Sequence, residues 1–139
     1  MIEEPAMIDA IIDTRQQIDF LWQFFVTVQI AIFALLFIYD RAVENMNFVA
    51  KIMGLAGIAL FSWINGNALA NTYLLLDSMV QQYAVWYGTP GRFEPGFLEH
   101  FVQASYTDRP QLVLMTHTMA FAVVLLALLT RKLLRPKHK

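Results

Sequence analysis

Three long apolar runs leave this chain few ways to fold. The first is IDFLWQFFVTVQIAIFALLFIY, residues 18–39. The second covers residues 48–76, and the third is QLVLMTHTMAFAVVLLALLT, residues 111–130. Each matches or exceeds the roughly 20 residues that a helix needs to cross the hydrocarbon core of a bilayer. A soluble all-α core requires a polar face on each helix, and three near-continuous apolar runs leave none. Composition agrees: 58% of residues are apolar and 15% are charged, whereas water-soluble domains carry about 25% charge. The expected fold is therefore an all-α membrane protein, a single integral domain over residues 1–139 with three transmembrane helices.

Charge distribution sets an expected direction. The tail RKLLRPKHK holds Arg131, Lys132, Arg135, Lys137 and Lys139, and Arg41 and Lys51 lie near the first inter-span connection. With three spans these groups share one side, and the positive-inside bias makes that side cytoplasmic. The N-terminus and the 81–109 loop, with Glu3, Glu4, Asp9, Asp13, Glu94, Glu99 and Asp108, then lie outside. The acidic start MIEEPAMID lacks the basic region of a secretory signal, so the first run is expected to remain as a span. The expected location is the cell inner membrane, multi-pass, in contact with membrane lipid. A net charge of −1 provides no basic field for nucleic acid, and the absence of cysteine rules out disulfides and thiolate metal sites.

Outside the spans, residues 5–17 form an expected helical extension, with Ile8, Ile11, Ile12 and Arg15 on one face. This face suits packing against a neighbouring helix, and its acidic flank disfavours adsorption to anionic lipid. The segments GTPG and EPG mark turns in the outer loop. GFLEHFVQASY after them is an expected interfacial helix with Phe97, Phe101, Val102 and Ala104 on oil. Asp108 and Pro110 mark the start of the third span.

The second span is unusually polar: FSWINGNALANTYLLLD carries Ser62, Asn65, Asn67, Asn71, Thr72 and Asp77. An unpartnered polar group in hydrocarbon costs several kcal/mol, so these side chains must face protein or water. At about 100° per residue, Asn67, Asn71 and Ser78 fall within about 40° of one another, while Asn65 and Thr72 form a second group rotated by about 130°. Such a helix is expected at the centre of the bundle, and Gly54, Gly57, Gly66, Ala68 and Ala70 permit close approach of its neighbours. On the first span Gln16, Asp19, Gln23 and Thr27 share a stripe, with Gln29 about 120° away. On the third, His117 stands with Val113, Ala120, Phe121 and Val124. Polar groups crowd the outer half, whereas FALLFI, IMGLAGIAL and VVLLALL make the inner third apolar.

This pattern supports three functional expectations. The first is a small homo-oligomeric ion channel or pore-type protein, cation-preferring, because three helices cannot enclose a pore alone. Its lining would be Asn67, Asn71 and Ser78, or Gln23 and Thr27. Asp19, Asp77 and Asp108 would form an acidic outer mouth, and the apolar inner third would be a gate that closes by dewetting. The second is a non-catalytic accessory or assembly subunit of a larger membrane complex, in which the same amides are interhelical glue worth about 0.6–2 kcal/mol each. The third is a membrane enzyme or a quinone- or lipid-binding protein centred on His117 and Trp63. No acid, base and nucleophile converge in the sequence, so a non-enzymatic role is expected. His117 is a hydrogen-bonded core histidine or a proton-sensitive group. No cofactor is called for: a haem would usually want a second axial ligand in the span, and Glu94, Glu99 and His100 match no closed zinc pattern.

Overall fold

In a computed structural model, which describes residues 3–89 and 91–130, the chain is all-helical. Helix α1 spans Glu4–Ile38, the short α2 Asp40–Asn45, α3 Phe48–Tyr87, α4 Pro95–Phe97 and α5 Arg109–Thr130, with a π-helical turn Leu98–Val102 directly after α4. Three of these helices, α1, α3 and α5, are long and apolar enough to cross a membrane. The basic tail, residues 131–139, lies outside the described residues.

Local chemistry sets the helix ends. Pro5 occupies the first turn of α1, where its missing N–H is not needed. Asn47 caps α3, its side-chain oxygen accepting from the Ala50 N–H at 2.7 Å. Gly88 stops α3 with its N–H bonded to Ala84 O at 3.0 Å. A Cβ at Gly88 would sit 2.3 Å from that oxygen, so no other residue fits there unaltered. The turn that follows is closed by Arg92 N–H to Thr89 O, and Gly91 takes the positive φ of 80° that L side chains avoid.

Helix α3 is central and antiparallel to both neighbours. Glu4 of α1 meets Tyr83 and Leu21 meets Asn65, while His117 of α5 meets the same Asn65. Helices α1 and α5 touch each other less extensively. The larger core joins Met7, Ile11 and Ile18 to Leu69, Leu76, Val80 and Tyr83, with Val102 and Val113. A smaller one joins Leu36, Val43 and Val124 at the far end. This unequal division follows the solvent. Between helices in lipid there is no hydrophobic drive, whereas fully burying an Ile, Leu or Val side chain from water stabilises by about 1.5–3 kcal/mol. The larger core lies toward the end carrying the 88–108 loop, where α1 and α3 run past the apolar stretches. Elsewhere large apolar side chains such as Phe20, Phe37, Phe48, Met53 and Trp63 are exposed, as a lipid-facing surface requires.

The loop folds back onto this core. Tyr106 N–H donates to Asp77 Oδ1 at 2.6 Å, and Gln81 Nε2 donates to Asp77 Oδ2 at 2.6 Å. Arg15 donates to Tyr106 OH at 2.9 Å and stacks over the Phe101 ring at 4.7 Å. Glu4 accepts from Tyr83 OH and pairs with Arg92. Val102, expected to lie on oil, is instead buried in the core, and Phe101 is half-buried beneath Arg15. The physical reason is the length of α3: by continuing to Tyr87 it supplies an apolar wall of Val80, Tyr83 and Ala84 for the loop.

Candidate functional site

The two polar faces of α3 separate. Its buried arc holds Ser62, Asn65, Thr72 and Asp77 together with Leu69, Leu76, Val80 and Tyr83. Asn67, Asn71 and Ser78 lie roughly 160° from the middle of that arc: Asn71 and Ser78 are exposed and Asn67 is partly so. Helix α1 repeats the division. Its core face is Met7, Ile11, Thr14, Ile18, Phe25, Gln29 and Leu36, and Asp19, Gln23 and Thr27 lie exposed on the opposite side. Gln23 and Thr27 share a shallow groove with Trp22 and Val26.

The centre of the bundle is built around His117. Its Nδ1 lies 2.8 Å from Val113 O and its Nε2 lies 2.8 Å from Asn65 Oδ1. Asn65 Nδ2 donates onward to Leu21 O at 3.4 Å, so one amide ties α5 to α1 through α3. The Phe25 ring stacks on the imidazole with centroids 3.9 Å apart, and Trp22 flanks it at 5.8 Å. Trp22 is itself fixed by its N–H donating to Tyr73 OH at 3.1 Å. Gly66 makes the close approach possible: a Cβ there would lie 3.3 Å from His117 Cγ. Both ring nitrogens thus face oxygens. Protons on both suit the arrangement directly. A singly protonated ring suits it when the Asn65 amide turns over and donates to Nε2, which gives up the Asn65 Nδ2 bond to Leu21 O. Proton occupancy on His117 and the orientation of Asn65 are therefore linked.

Among the described residues, three side chains of the bundle carry buried polar atoms without a partner: Arg15 at Nε, Gln29 at both amide atoms and Ser62 at its hydroxyl. Gln29 and Ser62 are only 7% and 8% exposed. Such groups are uncommon in folded proteins. Ser62 lines a half-open cleft of about 330 Å³ between α3 and α5, with Ala59, Trp63, His117, Thr118 and Phe121.

The residues singled out in the sequence thus occupy three environments. His117 is buried and hydrogen-bonded. Asp77 is buried and engaged with Tyr106 and Gln81, which makes it a latch for the loop. Asp19 and Asp108 are exposed, as are Gln23, Thr27, Asn71 and Ser78, with Asn67 half-exposed. Asn67, Thr27 and Ser78 satisfy one polar atom each by bonding the carbonyl four residues earlier. Among the described residues no three His, Asp or Glu side chains converge as a metal site. Ser62 and Gln29 are named by the sequence but receive no site role from it, since no spacing rule distinguishes a side chain that bonds its own helix from one that does not. No protein-family model, curated protein or solved structure matches the chain.

Proposed function

We propose that this protein is a homo-oligomeric, cation-preferring channel or pore-type protein of the cell inner membrane, with its N-terminus outside and its C-terminus in the cytoplasm. The observation that carries this reading is the direction of the stripe Asn67, Asn71 and Ser78, which points away from the bundle's own core. A polar stripe on the outside of a lipid-exposed helix needs a protein or water neighbour, and sister copies supply both. The stripe of Asp19, Gln23 and Thr27 on α1 supports it, because two outward polar faces on different helices suit a head-to-tail ring. Asp77 is committed to the loop, so the acidity of the mouth rests on Asp19 and Asp108. The Leu-, Ile- and Phe-rich end of the bundle, distal to the loop, serves as the gate.

The test is the stoichiometry of the purified protein in nanodiscs together with cation flux in liposomes. A closed ring that conducts is expected, with Asn71→Leu changing conductance while the ring persists. A monomer that conducts nothing contradicts the reading. One observation favours a second reading, an accessory subunit of a larger membrane complex. The back-bonds of Asn67, Thr27 and Ser78 reduce their need for water, so these faces also suit packing against another protein. That reading requires a partner to co-purify with the chain in mild detergent.

A further inference from the structure

Four side chains of α1 form a graded strip: Arg15, Asp19, Trp22 and Val26 fall within about 60° of one another at about 100° per residue. The strip starts in an open pocket of about 250 Å³ between α1, α3 and the loop, lined by Arg15, Asp19, Tyr73 and Tyr106 with Ile18 and Leu76 as its apolar wall. It continues into the groove of Trp22, Gln23, Val26 and Thr27. Trp22 joins the two, since its N–H donates to the hydroxyl of Tyr73 in the pocket wall. The pocket holds unspent donors. Arg15 makes one hydrogen bond, to Tyr106 OH at 2.9 Å, and among the described residues no carboxylate pairs with it. Its Nε is buried, so the protons it can offer are those on the Nη atoms. The Tyr73 and Tyr106 hydroxyls each accept one bond and keep a proton to give. Asp19, one turn further along α1, is exposed and finds no partner among the described residues.

We propose that this strip binds a lysophospholipid, with the phosphate at Arg15, the free glycerol hydroxyl at Asp19 and the single acyl chain along Trp22 and Val26. The order of groups along the helix carries the assignment. Ile18 opens the apolar run, so Arg15 lies at headgroup level, outside the roughly 30 Å hydrocarbon core. Asp19 lies about 6 Å further in, at the depth of the glycerol, and Val26 about 10 Å beyond it, among acyl chains. A guanidinium offers a phosphate several charge-assisted bonds, and the two tyrosine hydroxyls add to them. Asp19 sets the class of lipid. An ionised carboxylate only accepts hydrogen bonds. It takes the hydroxyl proton of a one-chain lipid, whereas the ester carbonyl that a two-chain lipid carries at that carbon is a second acceptor and is repelled. The proposal concerns binding alone and holds whether or not copies of the chain form a ring. An occupied strip engages Asp19 and leaves the acidity of the mouth to Asp108.

The experiment is photolabelling of the full chain in dodecyl maltoside micelles with a lysophosphatidylethanolamine that carries a diazirine in mid-chain. Expected is saturable labelling confined to residues 22–33 of α1, displaced by oleoyl-lysophosphatidylethanolamine. Three controls should not displace it: dioleoylphosphatidylethanolamine, which has an ester in place of the hydroxyl; monooleoylglycerol, which has no phosphate; and glycerophosphoethanolamine, which has no chain. Arg15→Gln should weaken binding at least about ten-fold, the worth of a bond to a charged group. Asp19→Asn, at an exposed position with no internal bond to lose, should change the preference rather than the fold. Its amide N–H donates to an ester carbonyl, so the two-chain lipid should now displace the label as well as the one-chain lipid does. A merely structural role for Asp19 would not move that ratio. The proposal is overturned by labelling scattered over all lipid-facing surfaces, or by equal displacement from the unaltered protein with the two-chain lipid or with monooleoylglycerol. It is also overturned if Arg15→Gln leaves binding unchanged or Asp19→Asn leaves the preference unchanged.

Discussion

His117 sits where all three long helices meet. It is held at both nitrogens, covered by Phe25 and backed by the bare Cα of Gly66. Gly66→Ala sets two effects against each other. Alanine gains about 1 kcal/mol of helix propensity, while forcing a methyl against a ring that cannot retreat costs about 1–3 kcal/mol. Crowding wins here, so the variant should unfold more readily in a detergent titration. Gly57→Ala, where a Cβ meets nothing within 4 Å, should not destabilise an isolated chain. The His117–Asn65 bond has its own test. His117→Leu leaves the Asn65 amide buried without its partner and should cost about 1–3 kcal/mol. Adding Asn65→Leu should recover part of the loss, so the two changes combine to less than their sum. Strict additivity in that double-mutant cycle would show that the bond carries no energy.

At the scale of elements, α3 organises everything else, and it is here that sequence and structure part. The three long helices are legible in hydropathy alone, since nothing else accounts for their length. The division of α3 into two polar faces is also legible, because about 100° per residue fixes it once the segment is helical. Which face turns inward is not, because that depends on how α1 and α5 dock. The pairing of Asn65 with His117 likewise needs the relative rotation of two helices. The run Asp77, Gln81 and Gln82 reads as the end of a span, yet the helix continues to Tyr87 because Val80 and Tyr83 pack on α1. Asp77 consequently holds the returning loop. Asp77→Ala should strand the Tyr106 N–H and remove a charge-assisted bond, costing about 2–3 kcal/mol. Hydrogen exchange should then quicken over residues 98–108 while the middle of α5 stays protected. Uniform quickening of all three long helices would mean that Asp77 supports the bundle rather than the loop.

At the scale of the whole molecule, the unusual feature is that polar side chains lie on both sides of the helices. The interior holds Asn65, His117, Ser62 and Gln29. The exterior holds Asp19, Gln23 and Thr27 on α1, and Asn67, Asn71 and Ser78 on α3. A three-helix protein that worked alone would keep its exterior apolar across the hydrocarbon. Whether the outer stripe of α3 meets water or lipid therefore decides between a pore and a dry bundle. The chain has no cysteine, so single cysteines can be placed without background. The decisive measurement is the rate at which Asn67→Cys and Asn71→Cys react with a charged, membrane-impermeant methanethiosulfonate reagent in liposomes, against Met119→Cys on the exposed face of α5 at similar depth. Reaction at Asn67 and Asn71 close to the rate of a loop position such as Ser105→Cys, with Met119 inert, is the predicted result. Equal inertness at all three helix positions would contradict a hydrated stripe and with it the channel.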